Sequence, residues 1–167
     1  MEQDHKAHGG MSRAMLRRHY WMFGLNMLVS TIIMYLVMFE MIRGSGEFVQ
    51  NINFAYMALT MAMPMGALML LMMGSMYADK RLNLILYAAL GLVFVLAFAA
   101  VRTQALVGDR QFVRSMIPHH SGAILMCNEA SLKDAEIRNL CFAPNGIIQS
   151  QEREIAQMKA ILQRLQQ

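Results

Sequence analysis

Three long apolar runs constrain this chain more than any other feature. They cover approximately Tyr20–Ile42, Phe54–Tyr77 and Leu84–Val101, and their only charged residue is Glu40, near the end of the first. About 20 helical residues cross the roughly 30 Å hydrocarbon core of a bilayer. The chain is 56% hydrophobic and only 16% charged, too little polar sequence to cover three such helices in a soluble fold. We therefore expect an all-α protein with three transmembrane helices.

The Lys and Arg residues near the ends of these runs predict the orientation. Six of them precede the first run or separate the second from the third: Lys6, Arg13, Arg17, Arg18, Lys80 and Arg81. Only Arg43 lies between the first and second runs. Basic residues are retained on the cytoplasmic side, so the N-terminus is predicted inside and the C-terminus outside. We attribute the net charge of +4 to the basic residues that set the orientation in the membrane and to their contact with anionic lipid. Nucleic acid is not expected as a partner, because the basic residues form no stripe with interleaved aromatics.

The chain divides into three predicted regions. Residues 1–19 form a cytoplasmic tail rich in His and Met, residues 20–101 the transmembrane region, and residues 102–167 an extracytoplasmic helical hairpin. Asp109 and Asp134 are suitable N-caps for the two hairpin helices. The segment Ala143–Gly146 must interrupt or kink the second helix, because it contains Pro and Gly.

The first hairpin helix carries a predicted apolar face at three- and four-residue steps: Phe112, Met116, His119/His120, Ala123, Cys127 and Ala130. The second carries a stripe after its break: Ile147, Gln151, Glu154, Met158, Ile161/Leu162 and Leu165. One hairpin buries its stripe poorly and would expose Phe112, Ile124, Ile155 and Leu162. We therefore expect a homodimer or higher oligomer in which two hairpins complete a four-helix bundle.

Met116, His119 and His120 fall within one helical turn, and Met126 lies two turns beyond His119. Thioether and imidazole groups are soft, neutral ligands that favour Cu(I), and the imidazoles also accept Cu(II). These residues are therefore candidate copper ligands. The alternative is that the methionine is a core residue and the histidines only form hydrogen bonds.

Glu154 and Gln151 lie within the stripe of the second hairpin helix, with Met158 one turn further. A carboxylate there would be energetically costly without a metal, a cation or an imidazolium beside it. The histidines of the facing helix can supply such a partner. Glu154 and Met158 are thus candidate ligands and Gln151 a supporting group. Alternatively, Glu154 lies at the edge of the stripe and reaches solvent. A di-iron centre is disfavoured because the chain contains no Glu-x-x-His.

Cys127 and Cys141 are the only cysteines and flank the hairpin turn. A disulfide is expected if this domain faces an oxidising compartment. Two thiolate metal ligands are the alternative.

Two further groups of soft ligands occur outside the hairpin. His5, His8 and Met11 form a possible secondary metal site in the tail. The second apolar run has methionines at every fourth position: Met57, Met61, Met65, Met69 and Met73. They could pass Cu(I) through the membrane, but we interpret them as flexible apolar packing residues, because that run contains no Cys, His or acidic residue.

Two motifs of the hairpin are similar to those of domain-of-unknown-function family 305. The first is Met116-Ile117-Pro118-His119-His120 with the Ser121–Met126 segment, and the second comprises Ile147-Ile148, Gln151, Glu154-Ile155 and Met158. The resemblance covers about residues 109–165, and the three-span front end looks like a membrane-anchored subgroup. It implies a ferritin-like helical bundle in a bacterial exported or membrane protein. Some members bind periplasmic copper through Met and His ligands and are linked to copper resistance. Carried over by position, these ligands are Met116, His119, His120, Met126 and Met158, with Glu154 and Gln151 in support.

The sequence thus predicts a multi-pass protein of the bacterial inner membrane whose periplasmic domain sequesters or relays copper, as Cu(I) or Cu(II). We expect no enzymatic turnover, and we expect a copper-handling protein as a possible partner. The alternative is a structural or interaction module of a membrane complex, with no metal role.

Overall fold

The computed structural model describes residues 12–166, and this part of the chain is helical, without strands. It contains six α-helices: α1 (Arg13–Val37), α2 (Ile52–Met72), α3 (Lys80–Thr103), α4 (Asp109–Glu129), α5 (Ala135–Phe142) and α6 (Ile147–Arg164). A short 3₁₀ turn, Ser45–Glu47, lies in the connection between α1 and α2.

The first three helices are each long and apolar enough to cross a membrane, which confirms three membrane helices followed by a helical C-terminal region. The bounds of α1 differ from the apolar run. The helix begins at Arg13, after Ser12 accepts a hydrogen bond from the Met15 amide, so residues 13–19 belong to α1 and not to the tail. A hydropathy pattern shows only where the charged residues end and the apolar run begins. Arg residues also favour helix formation, and their long side chains can reach the lipid headgroups, so the helix can extend beyond the apolar run.

Helix α2 lies between α1 and α3 and packs against both. Gly66 faces Met27 of α1 and Leu90 of α3, and a Cβ atom there would lie 2.6 Å from the Met27 sulfur. The absent side chain therefore lets α1 approach α2 closely. Helix α2 continues through Pro64.

The C-terminal hairpin is formed by α4 packing along α6. Asp134 caps α5 by accepting hydrogen bonds from the amides of Glu136 and Ile137, as predicted. The predicted break lies between α5 and α6, where Asn145 adopts a positive φ of 66°. Asp109 is the first residue of α4 rather than its cap, which is Gly108.

The buried face of the hairpin differs from the predicted one. Its core contains Val113, Ile117, Ile124, Ile155 and Met158, whereas Phe112 is 55% exposed. Neighbouring helix positions differ by 100°, so a pattern anchored on Phe112 instead of Val113 is rotated, and the predicted and observed faces share only some positions, such as His120 and Cys127. Since Ile124 and Ile155 are buried within one chain, the expected bare stripe is wrong except near Phe112 and Leu162, which are at least partly exposed.

The hairpin lies against the end of the membrane helices where α1 is connected to α2. The Ile52 amide donates to Gln111, and the Asn53 side chain donates to Ser115 at 3.1 Å. The Tyr56 hydroxyl donates to the carbonyl of Ala105 at 2.9 Å. These bonds join the first turns of α2 to the α3–α4 connection and to α4. The α1–α2 connection and the hairpin are therefore on the same side of the membrane helices.

Candidate metal centre

His120 is the predicted ligand with the most defined surroundings. It is only 8% exposed and lies in the middle of α4. Its Nδ1 atom lies 2.9 Å from the carbonyl oxygen of Met116, one turn earlier, and its Nε2 atom lies 2.6 Å from Oε2 of Glu154. A carbonyl oxygen can only accept a hydrogen bond, so Nδ1 carries a hydrogen and donates a hydrogen bond to the carbonyl of Met116. Nε2 then faces the carboxylate of Glu154.

The pairing of α4 with α6 creates this contact. Glu154 directly precedes Ile155, a core residue of α6, and so lies at the edge of the buried face of this helix. Its side chain is half exposed and reaches the buried imidazole from the edge. The expectation that the carboxylate meets a histidine of the facing helix is confirmed, but the buried partner is His120 and not Glu154.

His119 diverges from His120. It is exposed, and the two ring centroids are 6.2 Å apart with planes at 63°. Consecutive helix positions point about 100° apart, and here His120 faces the packed side of α4 while His119 faces solvent.

The predicted sulfur ligands fall into two groups. Met116 is partly buried and Met158 is 9% exposed, and both belong to the core between α4 and α6. Met126 is 59% exposed and lies outside this core. Gln151 is partly buried on α6. Two thioethers thus lie in the core between α4 and α6, whereas Met126 is exposed nearer the end of α4.

Over residues 12–166, no three side chains of the types His, Cys, Asp and Glu are grouped closely enough to hold a metal ion. His120 and Glu154 are therefore a pair of candidate donors, with no third side chain of these four types beside them in the described part of the chain. The secondary candidates His5, His8 and Met11 lie outside the described residues.

Cys127 and Cys141 form a disulfide between α4 and α5, with Cα atoms 5.6 Å apart. Of the two alternatives, the structure therefore has the disulfide. Both cysteines are buried. The bond ties the C-terminal end of α4 to α5, just before the break that leads into α6.

Beside His120 lies a charged contact that the sequence analysis missed. Glu47, in the 3₁₀ turn, is only 5% exposed; it accepts hydrogen bonds from the Ser121 hydroxyl and, at 2.9 Å, from the Arg43 guanidinium. The Arg43 backbone amide donates to the Ser121 oxygen at 2.6 Å, and its guanidinium also donates to Glu152 at 2.6 Å. No periodic pattern marks these residues, since they come from a loop and from two helices.

The charges of this contact stabilise one another. Burial alone would raise the pKa of Glu47, but the hydrogen bonds from Ser121 and Arg43 and the positive charges of Arg43 and Lys159 lower it overall. Hydrogen bonds to Glu47 and Glu152 raise the pKa of Arg43. Gly122 lies next to this contact, where a Cβ atom would be 3.6 Å from the Met41 backbone oxygen. The α1–α2 connection therefore holds α4 at the residues that follow His120.

Comparison with known proteins identifies the family. The family model described as Domain of unknown function (DUF305) matches residues 97–166. An uncharacterized protein from Acanthamoeba polyphaga mimivirus is 34% identical over 119 residues, which cover 70% of this chain and 74% of that protein. The chain belongs to the DUF305 family. Because the alignment with the viral relative is longer than the family match, the similarity includes part of the region before residue 97. No solved structure matches the chain.

Proposed function

We propose that this DUF305 protein is a membrane-anchored copper-binding protein, serving copper sequestration, relay or tolerance without enzymatic turnover. One observation carries the proposal: Nδ1 of His120 is bonded to a backbone carbonyl while Nε2 faces a carboxylate. Metal-binding histidines commonly donate their second N–H to a carbonyl or carboxylate, which fixes the tautomer and leaves the other nitrogen for the metal. In the absence of metal, a proton can occupy the position between Nε2 and Glu154.

The neighbouring donors favour copper over harder cations. Met116 and Met158 belong to the core between the same two helices, α4 and α6, and His119 is adjacent to His120 on α4. A set that combines imidazole and thioether with one carboxylate is softer than the oxygen-rich sites of Mg²⁺ or Ca²⁺. We propose His120 and Glu154 as the central ligands. We propose Met116, Met158 and His119 as the groups that complete the set, Gln151 in support, and Met126 as a peripheral ligand.

We further propose that the protein is located in the bacterial inner membrane, with the N-terminus cytoplasmic and the hairpin periplasmic. The Cys127–Cys141 disulfide supports this, because disulfides persist in oxidising compartments such as the periplasm. We also propose that two hairpins pair into a ferritin-like four-helix bundle, and that a copper-handling protein exchanges metal with them.

A second candidate function is an interaction module. It is favoured by α5, where Ile137, Leu140 and Phe142 are each about half exposed or more. In this alternative the His120–Glu154 contact is an ion pair that fixes α4 against α6, and a membrane partner covers α5.

Metal analysis of the full-length protein in detergent separates the two candidates. The full chain is needed because Glu47, Arg43 and Val49 contact the hairpin from outside it. The wild type should retain copper, and the His119→Ala/His120→Ala double variant should lose Cu(II) binding and keep weakened Cu(I) binding through the thioethers. His120→Ala alone should cost more affinity than His119→Ala, because only His120 is held in place by Met116.

A proton measurement provides an independent check. If copper replaces the proton between Nε2 and Glu154, binding must release protons into a weakly buffered solution, and His120→Ala should remove that release. Equal copper uptake by the wild type and the double variant, with helicity preserved, would refute the His120 site. A wild type that retains no copper would favour the interaction module.

A further inference from the structure

A second group of soft donors lies at the opposite end of the membrane helices. A groove of about 600 Å³ runs between α1 and the C-terminal end of α2. One imidazole and five thioethers line it: Met15, His19, Met22, Met69, Met73 and Met76. The groove is distinct from the His120 site, because it lies beside the α2–α3 turn and the hairpin lies beside the α1–α2 connection.

Helical spacing explains how the two sets meet. Met15, His19 and Met22 are separated by four and three residues and share one face of α1. Met69 and Met73 follow the same spacing on α2, and Met76 lies in the turn after it. Because α1 packs against α2, the two stripes lie on either side of the groove.

His19 is held by a backbone carbonyl in the same manner as His120. Its Nδ1 atom lies 3.1 Å from the carbonyl oxygen of Met76. A carbonyl can only accept, so Nδ1 carries the proton and Nε2 has its lone pair available for a metal. The methionine pattern of α2, interpreted from sequence as apolar packing because its run contains no histidine, thus acquires a histidine from α1.

The charges around the groove select the type of ion. Among residues 12–166, the lining contains no carboxylate, so these residues do not offer Mg²⁺, Ca²⁺ and other hard cations their preferred carboxylate ligands. The Arg18 side chain also lines the groove, and its positive charge repels a divalent ion more than a monovalent one. Arg18 is exposed, and its long side chain can extend towards the headgroups. Neutral thioethers with one imidazole suit Cu(I).

We propose that His19 and the methionines of this groove form a Cu(I) site. The site is independent of the proposed copper site in the hairpin, and either can exist without the other. With both, the protein holds soft metal donors at the two ends of its membrane helices.

The test is an anaerobic Cu(I) titration of the full-length protein in detergent, in competition with a chromophoric Cu(I) chelator. The His120→Ala background removes the central imidazole of the proposed hairpin site, so changes at the groove are read separately. In that background, His19→Ala and the double variant Met69→Leu/Met73→Leu should each weaken Cu(I) binding by about tenfold or more. Met61→Leu/Met65→Leu is the matched control, since it alters two methionines of the same helix that do not line the groove, and it should leave the affinity unchanged.

X-ray absorption at the copper edge supplies a second readout, with sulfur and nitrogen neighbours expected for Cu(I) in the His120→Ala background. Met→Leu changes conserve volume and apolarity, so they keep the test valid if His19→Ala does not fold. Unchanged affinity in the Met69/Met73 variant would overturn the proposal. An equal loss in the Met61/Met65 control, or a loss found only in His5→Ala/His8→Ala, would also overturn it. None of these results bears on copper binding at His120, which the proton-release measurement tests separately.

Discussion

Nε2 of His120 and Oε2 of Glu154 lie 2.6 Å apart, although the two residues are separated by 34 positions and belong to different helices. Nδ1 of the same imidazole is bonded to the Met116 carbonyl, so rotation of the ring would break two contacts. The ring is buried, whereas half of the Glu154 side chain is exposed. A buried, fixed donor thus faces a group that solvent or an ion can reach.

Glu154→Gln should separate the metal role of this pair from its structural role. The substitution keeps the shape of the side chain and removes its charge, so copper affinity should fall by about tenfold or more, the usual cost of weakening a metal ligand or its support. Stability should fall by about 1 kcal/mol or less, because the carboxylate is half exposed. Glu152→Gln is the control: it lies on the same helix, bonds to Arg43 instead, and should leave copper affinity unchanged. Copper affinity and thermal unfolding are the two measurements, and equal affinities of the two variants would contradict the assignment.

The Glu47 contact predicts how the α1–α2 connection responds to acid. The pKa of Glu47 in the folded protein lies below its ordinary value of about 4.5. Its stabilising contribution is therefore fully present above pH 4.5, and it is lost as the pH falls through the lower folded value. Hydrogen exchange of residues 44–51 should be slow from neutral pH down to about 4.5, after correction for the intrinsic exchange rate, and protection should fall below that. Glu47→Gln should reduce protection already at neutral pH, and protection equal to that of the wild type would argue against the contact.

The disulfide predicts a loss of stability on its removal. Cys127 and Cys141 are 14 residues apart, and closing a loop of about 15 residues stabilises a fold by about 3 kcal/mol in the chain-entropy model. Cys127→Ser/Cys141→Ser should lower the unfolding temperature of the hairpin, followed by circular dichroism in detergent. Reduction of the wild type should have the same effect. Copper binding should persist in the double variant, because the disulfide leaves no thiolate ligand, and a loss of copper in a folded variant would point to the cysteines instead.

Reporter fusions should establish the orientation. Fusions placed after Arg43, Arg81 and Gln167 are expected to report outside, inside and outside, because the basic residues concentrate on the predicted cytoplasmic side. The structure adds a constraint, since Arg43 contacts Ser121 and Glu152. The first and third fusions must therefore agree with each other. An inside signal after Gln167 would reverse the proposed orientation and remove the periplasmic explanation of the disulfide.

Self-association remains a prediction, but fewer exposed apolar residues of the hairpin support it than the sequence suggested. Ile124 and Ile155 are buried within one chain, so a dimer must use the residues that stay exposed, such as Phe112, Leu140 and Phe142. Sedimentation of the detergent-solubilised protein should give a dimer or larger species, and Phe112→Ser should weaken it. Phe98→Ser, a substitution on the exposed side of α3, serves to distinguish hairpin pairing from association of the membrane helices. A helical monomer at micromolar concentration would remove the four-helix bundle.

The sequence by itself determined the three membrane helices, the hairpin with its break at Ala143–Gly146 and the Asp134 cap. These features depend on local composition or on spacing within one helix, and both can be counted along the chain. The hydropathy of a run, for example, does not depend on what packs beside it. The same counting placed the start of α1 too late, because Arg residues end an apolar run without ending a helix.

Only the tertiary structure decided which residues meet. Spacing could not choose between His119 and His120, since both follow Met116 within one turn, and the rotation of α4 against α6 buries His120 alone. Glu47 accepts a hydrogen bond from Ser121 across 74 positions, and His19 bonds to the carbonyl of Met76 across 57. Such contacts are set by how helices cross and by where loops fold back, and the periodicity of a single segment carries no information about either.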